Sequence, residues 1–226
     1  MRISERVSTG LKLFLGIWMS GVLVAAFLYA PPALGLGEAS RVIYFHIPVA
    51  WVAVLAFLVS MVSAIQYLRT RETTYDDRAN VAAQLGFLFC LLATVTGSIF
   101  ARITWGSFWN WDPRETSIFI LLLIYAAYFA LRTAVEDDER RARLAAVYSI
   151  IAFLTVPFLV FVVPRIYFSL HPEAAFLSKT GGLTMNRKML QVFLGSLAGF
   201  TGIFVWLYRL QLSITRWQHR LFYKEE

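Results

Sequence analysis

Apolar residues are gathered in six long runs along the chain, separated by short polar segments. The runs cover Leu11–Ala30, Val42–Leu68, Val81–Ala101, Pro113–Leu131, Leu144–Val163 and Met189–Leu207. Each run can cross a bilayer core of roughly 30 Å at a helical rise of about 1.5 Å per residue. Backbone groups in lipid must be satisfied within the protein, which favours helices. We therefore expect an all-α integral membrane protein with six transmembrane helices, forming one domain over residues 1–226.

The start of the fourth helix carries a local signature. Asp112 is a good N-cap residue, Pro113 suits the first helical position, and Glu115 can close a capping box. The pattern predicts that this helix begins at Pro113.

The last run contains a pair of small residues, Gly195 and Gly199, at a spacing typical of close helix packing. We favour packing within the bundle as its role. A helix of a partner protein is the alternative.

Composition agrees with the membrane interpretation. Hydrophobic residues make up 58% of the chain and charged residues 15%, with a mean hydropathy of +0.62. An ordinary soluble domain is about 45–50% apolar and about 25% charged. Six spans in 226 residues leave no room for a sizeable soluble domain.

The charge distribution predicts the orientation in the membrane. The net charge is +7, but no basic run is long enough to indicate nucleic-acid binding. Fourteen lysines and arginines lie on the face that carries both termini, and seven lie on the other face. Basic residues concentrate on the cytoplasmic side, so we expect both termini to be cytoplasmic. In a bacterium this implies a multi-pass protein of the cytoplasmic (inner) membrane, in contact with lipid, with its odd-numbered loops in the periplasm.

The loop between the third and fourth helices is rich in tryptophan and is predicted to be external. It includes Trp105, Gly106, Trp109, Trp111 and Asp112. An interfacial aromatic belt is one interpretation, since tryptophan often lies at the membrane surface. The alternative is a shelf for a large flat apolar ligand. In a helix, Trp105 and Trp109 would share a face.

Two of the three histidines are predicted to lie on the same external face as this loop. His46 lies at the outer end of the second helix and His171 in the fifth loop, whereas His219 lies in the cytoplasmic tail. A lone interfacial histidine is usually structural. Two histidines beside an aromatic shelf could bind one haem iron from opposite sides.

Other residues bear on how the protein could hold haem. Its propionates need cationic partners, and Arg102, Arg114 and Arg165 lie near the same interface, although such arginines often only anchor helices. The single cysteine, Cys90, cannot form a haem-attachment motif, so any bound haem would be noncovalent.

The segment Trp105-Gly106-x-x-Trp109-x-Trp111-Asp112 resembles the signature of the haem-handling membrane family of cytochrome c assembly, which includes the CcmC, CcmF and CcsA types. Six spans, the chain length and two external histidines make the chain most similar to the CcmC type. Arg114 and Thr116 fit the usual continuation of the CcmC motif. Glu115 stands where that type usually has leucine, and with Pro113 it resembles the CcsA type.

The resemblance implies a haem-delivery protein rather than an enzyme. It implies that noncovalent haem b is held at the outer membrane face and passed to a membrane-anchored haem chaperone. An ABC-transporter ATPase, its permease and a small single-span subunit would be partners. His46 and His171 would be the axial ligands, which makes haem iron the only metal. Trp105, Gly106, Trp109, Trp111 and Asp112 would form the shelf, and Arg102, Arg114 and Arg165 would be propionate partners.

Two other functions remain open from the sequence. One is the membrane subunit of a CcsA-type cytochrome c synthase, which attaches haem to CxxCH thiols. The other is a permease for haem or another apolar solute. A permease should show polar groups or broken helices near mid-membrane, and Pro157 in the fifth helix is weak support for that.

Overall fold

Seven α-helices, joined by short turns, account for most of the computed structural model, which describes residues 5–171 and 185–222. The helices are α1 (Glu5–Leu28), α2 (Ile43–Thr70), α3 (Thr73–Trp105), α4 (Pro113–Ala134), α5 (Asp138–Pro157), α6 (Val163–Ile166) and α7 (Arg187–Phe222). A 3₁₀ turn at Glu38–Val42 leads into α2, and a π-helical turn at Phe158–Val162 joins α5 to α6. No strand forms among the described residues.

In the part of the chain that the structure describes, six helical segments are long and apolar enough to cross a membrane, as the sequence predicts. They are Thr9–Leu28, Glu38–Thr70, Thr73–Trp105, Pro113–Ala134, Asp138–Ile166 and Arg187–Leu221. The third and sixth extend well past the apolar runs, because the flanking polar residues are also compatible with a helix. The orientation of the spans stays a prediction, and residues 1–4 and 223–226 at the two ends lie outside the described residues.

The core is built where α2 lies against α3. A Cβ atom at Gly86 of α3 would lie 2.6 Å from ring carbons of Phe57 on α2, so only glycine permits this approach. Phe57 also stacks on Tyr125 of α4, and both side chains are fully buried. This layer of aromatic residues ties three helices together.

The glycine pair of α7 packs within the bundle, against α1. The indole nitrogen of Trp18 donates a hydrogen bond to the carbonyl of Gly195 at 2.9 Å. A side chain at Gly199 would collide with Met19 of α1. These glycines therefore pack against the chain's own first helix.

An ion pair joins two helices at the end of the bundle that carries the α2–α3 and α4–α5 connections. Arg132 of α4 donates to both carboxylate oxygens of Asp76 of α3, at 2.7 and 2.8 Å. Both side chains are largely buried. At the same end, His219 lies 3.7 Å from Asp77. The tryptophan loop lies at the opposite end of the bundle.

Candidate functional site

A cavity of about 220 Å³ lies at the tryptophan-loop end of the bundle. Residues of α2, α3, α4, the π-helical turn and the loop after α6 line it, and most of them are apolar. Its lining includes both His46 and His171, although 125 positions separate them in the sequence. Other lining residues are Ile43, Phe100, Trp109, Arg114, Leu159 and Pro164.

His46 is held against α3 from the first turns of α2. Its Nδ1 atom lies 3.0 Å from the hydroxyl oxygen of Thr96. The next residue, Gly97, leaves room for the ring, since a Cβ atom there would lie 2.9 Å from Cε1 of His46. The imidazole therefore lies directly on the backbone of α3.

Asp112 organises the other side of the cavity. As predicted, it is the N-cap of α4 with Pro113 next: its carboxylate accepts a hydrogen bond from the Arg114 amide at 2.9 Å, and Glu115 closes the capping box. The same carboxylate accepts from the Leu170 amide at 2.7 Å and from the Ser169 hydroxyl. The start of α4 and the loop after α6 are thus fastened at one buried side chain.

His171 is bound to this carboxylate. Its Nδ1 atom lies 2.9 Å from Oδ1 of Asp112, and its ring packs edge-on against Trp105. Burial lowers the pKa of His171 to about 4, although the neighbouring Asp112 opposes the shift. Burial alone would raise the pKa of Asp112, but hydrogen bonds from Arg114 and Leu170 outweigh it and the pKa lies below its usual value. At neutral pH the imidazole is uncharged and the carboxylate is ionised.

The three tryptophans of the loop have separate positions. Helix α3 ends at Trp105, because Gly106 adopts a left-handed conformation with φ of 84°. Trp105 and Trp109 therefore do not share a helical face, and the segment between them is a loop, as the sequence predicts. Trp109 lines the cavity, Trp105 contacts His171, and Trp111 is 70% exposed with an unusual φ of 55°.

Of the three candidate arginines, only Arg114 lines the cavity. Its Nε atom is buried without a hydrogen-bond partner in the described part of the chain. Arg102 donates to the carbonyl of Gly106, and Arg165 donates to that of Phe161. The latter two satisfy carbonyls near helix ends, a common role of arginine there.

Sequence reasoning missed Thr96 and Gly97. The available signal was the run Thr94-Val95-Thr96-Gly97-Ser98, which places three hydroxyl groups and a glycine inside an apolar span. Such a polar stretch in a membrane helix marks a contact with another polar group. The partner, His46, lies on a different helix, so the sequence alone could not identify it.

This arrangement suits a flat, largely apolar ligand that contains a metal. Two imidazoles, typical ligands of haem iron, reach one apolar cavity, and a buried arginine nitrogen there, unpartnered among the described residues, can bind an anionic group. The fold and the cavity define a multi-pass helical membrane protein with a two-histidine site near one end of its bundle.

Comparison with known proteins identifies the family. The family model described as Heme exporter protein C matches residues 1–224, and the chain belongs to this CcmC family. The chain is 34% identical to Heme exporter protein C of Bradyrhizobium diazoefficiens over 191 residues, which are 83% of the chain and 72% of that protein. It is 30% identical to a ccmC-like mitochondrial protein of cytochrome c biosynthesis from Marchantia polymorpha over 209 residues, 92% and 84% of the two chains. The predicted resemblance to the CcmC type is thereby confirmed, Glu115 notwithstanding.

Proposed function

We propose that this protein binds haem noncovalently between His46 and His171 and delivers it for cytochrome c maturation. The observation that carries the proposal is that both imidazoles line one apolar cavity. Family membership supports the haem-delivery role, since the relatives bear the names of haem exporters and of cytochrome c biosynthesis proteins.

The residues around the cavity fit haem as a substrate. The imidazole of His171 is uncharged at neutral pH, as a metal ligand must be. The free Nε atom of Arg114 is a suitable partner for a propionate. Arg102 and Arg165 are occupied with backbone carbonyls, so we assign the propionate role to Arg114 first.

The tryptophans extend the binding surface beyond the cavity. A volume of about 220 Å³ is below the roughly 300–1,000 Å³ of ordinary ligand pockets, so a haem macrocycle would project from it. Trp109 also borders a second apolar depression, which it forms with Trp111 and Phe119. We propose that haem lies along Trp109, with one edge reaching this depression. Trp105 and Gly106 then act indirectly, by packing on His171 and by ending α3.

The predicted orientation places this site at the outer, periplasmic face of the inner membrane. Haem b held there would be accessible to a membrane-anchored chaperone. The ABC-transporter ATPase, its permease and a small single-span subunit complete the proposed assembly. Because the chain belongs to the CcmC family, we favour delivery over the cytochrome c synthase or permease roles, and we assign the protein no enzymatic activity of its own.

The experiment is complementation in a bacterium that lacks its own Heme exporter protein C. The chain is expressed together with its own transporter and chaperone partners, and covalent c-type cytochromes are measured by haem staining. We expect cytochromes and haem-loaded chaperone to appear with the wild-type chain, and neither to appear with an inserted double variant, His46→Ala with His171→Ala. Equal cytochrome levels with the double variant would contradict the proposal.

A further inference from the structure

Both cavity imidazoles present the same nitrogen to a fixed oxygen atom. Nδ1 of His46 lies 3.0 Å from Oγ1 of Thr96, and Nδ1 of His171 lies 2.9 Å from Oδ1 of Asp112. In a neutral imidazole one nitrogen carries hydrogen and the other a lone pair, and the neighbouring groups decide which is which. The two oxygens therefore control which nitrogen can bind a metal.

The hydroxyl of Thr96 is placed to accept from His46. It has a single hydrogen, and the carbonyl of Leu92 lies 2.8 Å away on the preceding turn of α3. The hydroxyl donates that hydrogen to the carbonyl of Leu92. The hydrogen bond to His46 therefore requires a hydrogen on Nδ1. The lone pair of His46 is then on Nε2.

The carboxylate of Asp112 also places the hydrogen of its histidine on Nδ1, for a different reason. Two backbone amides, of Arg114 and Leu170, point at it, and amides can only donate. The Ser169 hydroxyl donates to it as well. An acceptor surrounded in this way also accepts from His171, whose hydrogen must be on Nδ1 and whose lone pair is on Nε2.

We propose that Thr96 and Asp112 are positioning residues that hold the two imidazoles with Nε2 free for iron, and that Asp112 makes His171 the stronger ligand. The proposal rests on the proposed haem-binding function. A carboxylate behind a ligand histidine raises the basicity of the coordinating nitrogen. A hydrogen bond to an ionised acceptor is roughly twice as strong as one between neutral groups, and Thr96 offers only a neutral hydroxyl.

The difference in strength between the two histidine ligands has a functional consequence. A delivery protein must bind haem and also release it. The bond from iron to His46, which has the weaker support, would be the first to break. His171 would then hold haem alone, and one face of the iron would be open to a ligand from the recipient.

The first test uses the protein without haem. Nitrogen-15 NMR of the histidine side chains in detergent reports which ring nitrogen carries hydrogen. We expect the Nδ1–H form for both cavity histidines, and we expect Thr96→Val to disturb His46 alone. The matched control is Thr201→Val, because among the described residues its hydroxyl is bonded only to a carbonyl of its own helix, that of Leu197. An Nε2–H form at either histidine of the wild-type protein would overturn the proposal.

The second test uses haem-loaded protein and an excess of apomyoglobin as haem acceptor. We expect His171→Ala to lose haem about tenfold faster than His46→Ala, at the low end of the roughly 10–100-fold effect of supporting residues. Faster loss from His46→Ala would overturn the ranking of the ligands.

The carboxylate itself is tested by Asp112→Asn, which keeps an N-cap residue but removes the charge. We expect about a tenfold loss of preference for ferric over ferrous haem, which raises the one-electron potential by about 59 mV. The control is Asp137→Asn, since Asp137 caps α5 at the other end of the bundle. A potential equal to that of the control would overturn the proposed role of Asp112.

These outcomes separate the inference from the proposed function. If the wild-type protein acquires no six-coordinate haem spectrum, the proposed function fails. If the wild-type spectrum is six-coordinate but Thr96→Val and Asp112→Asn both behave as their controls, the positioning roles fail while the function stands.

Discussion

Gly97→Ala should weaken haem binding without weakening the fold. The added methyl group would lie 2.9 Å from Cε1 of His46, whereas carbon atoms are in unstrained contact at roughly 3.5–4.0 Å. The difference requires a displacement of about 0.6–1.1 Å. The atom in the way is the far end of a side chain, so the imidazole ring moves rather than the helix.

The size of the effect follows from that displacement. Ligand groups must be held within about 0.5 Å of their productive position, and a shift of the ring also strains its hydrogen bond to Thr96. Loss of such support typically lowers metal affinity by about 10–100-fold. Replacement of glycine by alanine inside a helix favours the helix by up to about 1 kcal/mol. Stability should therefore be maintained while haem affinity falls.

The assay is a haem titration of the purified variant in detergent, followed by absorption spectroscopy, with the thermal unfolding midpoint measured in parallel. The matched control is Gly21→Ala, because a Cβ atom at Gly21 would meet no atom of the described residues within 4 Å. We expect the control to bind haem with wild-type affinity. Gly97→Ala should bind haem with an affinity lower by about tenfold or more. If Gly97→Ala binds haem as tightly as the control, His46 is not a ligand held in place by α3.

Three further predictions concern orientation, the tryptophans and the charged end of the bundle. A topology reporter fused at Asp138 should be active only in the cytoplasm, and activity on the outer side would reverse the predicted orientation. Trp109→Ala should reduce haem retention more than Trp111→Ala in a gel-filtration assay, because only the former side chain lines the cavity; equal losses would argue against this difference. Asp76→Ala should lower stability by roughly 2 kcal/mol, less than the about 3–5 kcal/mol for a fully buried pair, because it leaves Arg132 without its partner. An unchanged unfolding midpoint in detergent would contradict that role.

The features that the sequence predicts best are local ones. Six spans follow from apolar length, and the start of α4 at Pro113 follows from three capping signals, Asp112, Pro113 and Glu115. The pairing of Gly195 and Gly199 with a neighbouring helix follows from their spacing. In each case the sequence signal lies within a few neighbouring residues.

The features that escaped prediction depend on contacts between distant segments. The sequence suggests that His46 and His171 share a membrane face, but only the packing of α2 and α3 with the start of α4 places both at one cavity. The hydroxyl of Thr96 and its distance from His46 depend on the same packing. The separate positions of the three tryptophans also depend on the fold, because the left-handed Gly106 ends α3 before Trp109 and Trp105 then contacts His171.

The proposed function requires two histidines from distant parts of the chain to bind one haem iron. The most direct measurement is the absorption spectrum of ferric and ferrous haem in purified His46→Ala, His171→Ala and His219→Ala. We expect the first two to change from six-coordinate toward five-coordinate haem, and added imidazole to restore the spectrum in part. His219→Ala should match the wild type, because His219 contacts Asp77 at the other end of the bundle. An unchanged six-coordinate spectrum in either of the first two variants would contradict ligation by this pair.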